Sequence, residues 1–277
     1  MNKKFEFKKI LVAAFLIFFV LWTLFPFYWI LVTSLKTSKE IIQVTPTFWP
    51  TKVTFEHYVK MLTTSKFGIY IMNSVKVTLI SSCFILIISI LGGYALARYK
   101  FRGQGLVMGI MLASQMISGM TIIIPLFRMF SKIGVLDSHW SLIIAYTVGN
   151  IPFCLITMSS FFQRIPKSLE EAAMIDGCSS LGAVRRVILP VMRPGIVATF
   201  VFAFTGCWNE FFTAMMFMSR KKMWTIPIGL DNFCGKFNID WGQMAAASVV
   251  ALIPVIIMFA LVQKHIVAGL TSGAVKE

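Results

Sequence analysis

Charge is scarce in this chain. Only 13% of its 277 residues are Asp, Glu, Lys or Arg, about half of the roughly 25% found in a soluble domain. Acidic residues are the scarcer, with 11 Asp and Glu against 26 Lys and Arg. So few charges cannot solvate a globular surface of this length. With 57% hydrophobic residues and a mean hydropathy of +0.80, the chain reads as several membrane spans. Histidine is nearly absent: His57, His139 and His265 stand at no metal-ligand spacing. The five cysteines, Cys83, Cys154, Cys178, Cys207 and Cys234, form no C-x-x-C pair and are expected to be small buried hydrophobes. No G-x-x-x-x-G-K-[ST] run exists. Gly235-Lys236 leads into Phe237 and lacks the upstream glycine, so the chain does not cradle nucleotide phosphates. No serine elbow and no paired catalytic carboxylates are present. These absences exclude an enzyme. The net charge of +15 does not point to nucleic acid, because no basic stripe is interleaved with aromatics. In a multi-span protein Lys and Arg gather at span ends and anionic headgroups.

What is present is a series of six apolar runs, each near the 20 residues a span requires. They cover residues 10–34, 71–97, 106–130, 140–162, 195–218 and 245–267. Pro26, Pro125, Pro152 and Pro254 fall within them, which membrane helices tolerate because neighbours satisfy the freed carbonyls. The fold class is therefore all-α integral membrane with six transmembrane helices, and residues 1–277 are read as one transmembrane domain. The Met-Asn-Lys-Lys start leads into the first run without a small-residue cleavage site, so that run is expected to be retained. Lys3, Lys4, Lys8 and Lys9, with Arg98, Lys100 and Arg102, favour an inside N-terminus, although the other cations divide almost evenly.

On that orientation residues 35–70 form an external loop. Phe55, Tyr58 and Leu62 would share one face of a short helix at the membrane surface, either as an aromatic belt or as a platform for an external partner. Asn209 and Glu210 lie within the fifth run, Glu210 roughly 22 Å along a helix. An ionisable group there either faces protein or a polar path, or sits close enough to the outer surface to be solvated. Lys76 is expected to snorkel. Gly92-Gly93 and the Gly105-x-x-x-Gly109 spacing are expected at close helix contacts.

Between the fourth and fifth runs lies a polar insert, residues 168–190. Ser168 is placed to cap a helix, and Glu171 three residues on would complete a capping box. Glu170 and Glu171 complement the positive end of the helix dipole. Gly177 ends this helix where glycine is favoured. Ser179 or Ser180 caps a second short helix that Pro190 would stop. The residues alone leave two readings open: a connector resting on headgroups, or a surface that docks a partner.

The spacing Glu171-Ala172-Ala173, Gly177, Val187-x-Leu189-Pro190 resembles the EAA loop of ABC-importer permeases, with Val187 where isoleucine is usual. Asn73-Ser74, Tyr94-Ala95-Leu96-Ala97-Arg98 with Phe101 and Gly103, Ile124-Pro125-Leu126, Leu136 to Leu142, Trp208-Asn209-Glu210-Phe211 and the tail Gly269 to Lys276 extend the resemblance over the chain. It is nearest to the smaller six-span permease of maltose-type sugar importers. The resemblance implies the type-1 ABC permease fold, with residues 71–267 as the core module. It also implies a second, different permease, two copies of a cytoplasmic ABC ATPase and an extracytoplasmic sugar-binding protein. The chain itself would bind no cofactor, while the partner ATPase would use ATP and Mg. The loop would dock into that ATPase as a coupling helix through Glu170, Glu171, Ala172, Ala173, Asp176, Gly177, Leu189 and Pro190, and the tail 268–277 would also reach it. Asn209 and Glu210 would stand on the translocation path or at the permease–permease contact. The loop side would be cytoplasmic, with both termini inside a bacterial inner membrane. The alternatives are an ABC permease for an amino acid, peptide or metal, and an ion-driven secondary transporter. The latter would carry an internal repeat, which the six runs do not show.

Overall fold

The computed structural model describes residues 3–235 and 239–274, with side chains for 9–235 and 239–263. The described residues are almost wholly helical. In order they are α1 (Lys3–Leu35), α2 (Ser38–Ile41), α3 (Glu56–Thr63), α4 (Phe67–Arg98), α5 (Gln104–Met116), α6 (Gly119–Lys132) and α7 (His139–Gln163). Next come α8 (Ser168–Ile175), α9 (Ser180–Ala183), a π turn (Val184–Ile188), α10 (Leu189–Val191), α11 (Arg193–Trp208) and α12 (Phe212–Phe217). A 3₁₀ turn (Lys221–Met223), α13 (Ile226–Asp231) and α14 (Trp241–Ala274) complete the order. By length and composition α1, α4, α7 and α14 can each cross a membrane unbroken, and they match the first, second, fourth and sixth runs.

The third and fifth runs differ from expectation. The third is not one helix: α5 and α6 meet at 101° across Ile117 and Ser118. Ile117 is extended, and a Ser-Gly pair follows it, a sequence at which helices kink. The bend lets α6 lay Ile123, Leu126, Phe127 and Phe130, one helical face, on the core. The fifth run ends as a helix at Trp208, resumes at Phe212, and is preceded by a 77° bend between the α9–α10 stretch and α11. Hydropathy is blind to the first break, because the residues around it stay apolar, whereas the second falls at the polar pair Asn209-Glu210.

The chain divides into two compact units. One comprises Met1–Gly68 and Gly229–Ile253, the other Ile69–Ile228 and the chain from Pro254. In the first unit Glu40 organises the 36–66 segment. Its carboxylate accepts from Thr47 Oγ1 (2.6 Å), the Thr51 amide (3.0 Å) and Thr51 Oγ1 (3.0 Å). Lys36, also buried, donates to the Thr47 carbonyl and lies 4.7 Å over the Trp29 ring. The inward residues of α3 are His57 and Met61. His57 Nε2 lies 3.0 Å from the Lys36 carbonyl, and Gly242 has no Cβ because one would sit 2.1 Å from that imidazole. Tyr58 turns to Ser34 (2.8 Å), so the uncovered apolar face is Phe55, Val59 and Leu62, not Phe55, Tyr58 and Leu62.

In the second unit α4, α7 and α11 form the core. Gly92 and Gly93 allow α4 to touch α7: a Cβ on Gly92 would meet Leu155 at 2.8 Å, and one on Gly93 would meet Met158 and the Ser159 amide nitrogen at 3.0 Å. The Gly105–Gly109 spacing does not mark such a contact, since nothing lies within 4 Å of either added Cβ. One apolar cluster joins Val77, Ile85, Leu142, Ile143, Tyr146, Ala203, Cys207 and Phe217. A second joins Met158, Phe162, Ile165, Ile188 and Met192, flanked by Tyr94 and Ala97. All five cysteines are free; Cys154 and Cys207 are buried as expected, but Cys83 and Cys234 are exposed.

Candidate coupling site

The 166–192 loop begins one residue earlier than its capping signal indicated. Lys167, already helical, stands at the N-cap without a side-chain bond. The Lys167 carbonyl accepts from the Glu170 (2.9 Å) and Glu171 (3.1 Å) amides. Ser168 thus falls inside the first turn, and the capping box with Glu171 does not form. The two glutamates still occupy the first turn, where the helix dipole favours negative charge.

The end of α8 follows the sequence. Gly177 has φ +88, and the Gly177 amide donates to Met174 O while the Cys178 amide donates to Ala173 O, both at 3.0 Å. This pair of bonds is the Schellman arrangement, and it needs a residue that tolerates the left-handed region. Ser179 then caps α9, its hydroxyl accepting from the Gly182 amide at 3.2 Å. Pro190 does not stop the chain. It lies at the start of α10, where a missing N–H costs nothing, and the π turn before it widens the helix where the ring would meet the preceding carbonyls.

Helical spacing divides the loop into two faces. Inward lie Glu170, Ala173 (7% exposed), Ala183 and Ile188, with Leu189 half-buried against the second cluster. Outward lie Glu171, Ala172, Asp176, Gly177 and Pro190, with Ile175 at 86% and Leu181 at 77% exposure. Leu181, Gly182, Ser179, Arg185 and Arg186 line an open depression of about 510 Å³. An exposed carboxylate, two bare aliphatic side chains and two arginines thus stand together on the outward face of the loop.

Glu170 is the main departure from the expected docking set. Its carboxylate turns to α4, where Arg98 Nε lies 2.5 Å from Oε1 and the Tyr94 hydroxyl donates to Oε2 at 3.2 Å. A second Arg98 nitrogen donates to the Ile165 carbonyl at 3.1 Å. The sequence signal for this contact was the Tyr94-x-x-x-Arg98 step, which places both side chains on one helix face.

Asn209 and Glu210 lie at the break after α11. Asn209 is exposed and Glu210 half-buried. The Glu210 carboxylate accepts from the Thr213 (2.9 Å) and Ala214 (3.2 Å) amides, so it caps α12. Two further groups of polar contacts pin the loops at this end of the unit. Asn73 Nδ2 donates to Lys222 O (2.9 Å) and Trp224 O (2.8 Å), while Ser74 Oγ accepts from the Ile226 amide (2.8 Å). Asp137, with φ 56, accepts from the Ser219 and Arg220 amides (3.1 Å each) and pairs with the Arg220 guanidinium. Partial burial raises the Asp137 carboxyl, but the bonds from Arg220 outweigh it and hold the group below its ordinary 3.8. Spacing did not single out Asp137 or Arg220, since 83 residues separate them. Among the described residues no three His, Cys, Asp or Glu side chains gather as a metal site. The expectation for the tail 268–277 lies outside the described side chains.

Comparison with known proteins follows this geometry. The family described as "Binding-protein-dependent transport system inner membrane component" matches residues 88–272. The sulfoquinovosyl glycerol transport system permease protein SmoH of Agrobacterium fabrum is 36% identical, covering 91% of this chain and 89% of that protein. The trehalose/maltose transport system permease protein MalG of Thermococcus litoralis is 34% identical over 97% of each. A crystal structure of a bacterial ABC transporter involved in import of the acidic polysaccharide alginate contains a chain with TM-score 0.83 and 25% identity, covering 95% of this chain and 98% of that one. A multi-span helical architecture, a polar two-helix insert and these likenesses along nearly the whole length agree: the chain belongs to the inner membrane components of binding-protein-dependent transport systems and is a multi-pass permease.

Proposed function

We propose that this chain forms half of the path of a sugar or oligosaccharide importer, paired with a second, different permease, fed by an extracytoplasmic sugar-binding protein and driven by two copies of an ABC ATPase. Residues 166–192 are the surface that receives the ATPase, which places the loop and both termini in the cytoplasm. The chain holds no nucleotide; ATP and Mg belong to the partner. The sugar reading is supported by relatives whose names are those of sugar permeases, and by the Trp208-Asn209-Glu210-Phe211 motif. The family leaves an ion-driven carrier without support, because its members depend on binding proteins.

One observation carries the coupling role: α8 and α9 hold Glu171, Ala172, Ile175 and Leu181 outward on a frame closed by a Schellman turn and a buried apolar cluster. The mechanism follows as a population shift. ATPase closure displaces this face, the second unit moves with it, and the path exchanges its open side. Binding-protein contact on the far side and ATPase closure on the near side favour the same state, so each strengthens the other by reciprocity.

The test is the assembled complex in proteoliposomes. Glu171→Lys with Ile175→Asp should strip the ATPase from the permease pair and abolish sugar-stimulated hydrolysis. Retained ATPase and normal uptake would sink the docking assignment. Screening sugar-loaded binding protein for stimulation identifies the solute class, and stimulation by an amino acid or peptide instead would overturn the sugar reading.

A further inference from the structure

Two adjacent glutamates open α8, and they have opposite surroundings. Glu171 is exposed. Glu170 is bound through both oxygens to α4: Oε1 by Arg98 (2.5 Å) and Oε2 by Tyr94 (3.2 Å). Consecutive helical residues point about 100° apart, so a single helix presents one carboxylate to each side. The ion pair is shielded, with side-chain exposures of 6% for Arg98 and 13% for Glu170. A surface pair of this kind would be easily exchanged for water, but a shielded pair held by further hydrogen bonds keeps one geometry. Arg98 is the last residue of α4, and it also binds the Ile165 carbonyl just before α8. Tyr94 packs edge-on against Phe162, 5.4 Å between ring centres, within the second apolar cluster. The α8 helix itself contributes no side chain to that cluster. Its side-chain hydrogen bonds to α4 are these two.

We infer that Arg98, with Tyr94 behind it, is a positioning residue that transmits displacement of α8 into α4, and that Glu170 is an internal anchor and not an ATPase contact. This rests on the reading that the 166–192 loop receives the ATPase. Pushing the Glu171–Ile175 face moves α8, and the Glu170–Arg98 link carries that movement to the end of a helix crossing the whole unit. Gly93, five residues before Arg98 on α4, locks that helix to α7 through Met158, so the stroke reaches two spans together. Without the link, α8 would follow the ATPase while α4 lagged behind.

The experiment compares Arg98→Met, Glu170→Gln and the exchange R98E/E170R in the complete reconstituted complex. Three quantities are read: ATPase retained on the permease, stimulated hydrolysis, and sugar imported per ATP. Both single variants should keep the ATPase, while import per ATP falls about tenfold, the scale of coupling such contacts carry. The exchange should recover most of that loss. Arg98→Lys keeps the charge but cannot span Glu170 and Ile165 together, and it gives an intermediate loss if the stronger variants fail to reach the membrane. Normal import per ATP in Arg98→Lys and Arg98→Met overturns the inference. So does Glu170→Gln releasing the ATPase when Arg98→Met does not, because Glu170 would then be a docking group. Failure of the docking reading looks different: Glu171→Lys would leave the ATPase attached and stimulated, whatever the Arg98 variants did.

Discussion

At one end of the second unit Met158, Phe162, Ile165, Ile188 and Met192 form an apolar cluster, and Tyr94 at its flank reaches the Arg98–Glu170 pair. At the other end of α4 and α7 the loops are held by directional bonds from Asn73, Ser74, Asp137 and Glu210. Apolar packing is non-directional and dense, so the first end keeps its internal shape while it is displaced. Hydrogen bonds are directional, so at the second end they fix how each loop is oriented, while Phe217, Met218 and Ile228 supply the apolar packing beneath.

The contrast breaks most severely at Gly93. Gly93→Leu forces a side chain into Met158 and the Ser159 backbone and should cost about 1–3 kcal/mol or more, whereas Gly105→Leu, with open space around it, should cost close to nothing. Thermal midpoints of the purified complex check both, and equal midpoints would refute the tight α4–α7 contact. Next in size is Gly177→Val, which places a β-branched residue in the left-handed region at a cost of about 1–2 kcal/mol. It should lower stimulated ATP hydrolysis and leave binding-protein affinity in place; Gly177→Asn should do less. The smallest effect belongs to the pinned end. Asp137→Asn keeps a residue that tolerates φ 56 but loses the charge, and with Arg220 half in solvent the loss should stay under about 1 kcal/mol.

The same aspartate makes a pH prediction. Its folded carboxyl titrates below 3.8, so the stabilisation it supplies is present above the unfolded value and disappears as pH falls through the folded one. Hydrogen exchange of the Ser219 and Arg220 amides, measured at the acid pH itself and corrected for the intrinsic rate, should keep its protection down to about pH 4 and lose it below. Asp137→Asn should show weaker protection throughout and no step.

Much of this was legible in the chain. Four unbroken spans follow from apolar length, and Gly177 and Ser179 follow from local backbone chemistry, which acts within a few residues. The bend at Ile117–Ser118 was hidden because a hydropathy sum does not register one extended residue inside an apolar run. The division between Glu170 and Glu171 was hidden for a different reason. Both residues suit the first turn of a helix equally, and only the position of α4, set by contacts 72 residues away in sequence, selects which one turns inward. The glycines teach the same lesson: Gly93 and Gly105 look alike in sequence, and the facing helix decides which one is needed.

The π turn at Val184–Ile188 sets an angular phase. Ile188 is locked in the cluster, while Arg185 and Arg186 on the same turn face outward. A π turn advances only about 80° per residue, so its five residues cover nearly the arc of four α-helical ones and the extra residue is taken up locally. The wider turn works as slack: the same residue squeezed into an ordinary α-turn would swing Arg185 and Arg186 round by about 100°, whereas here both stay outward while Ile188 stays in the cluster.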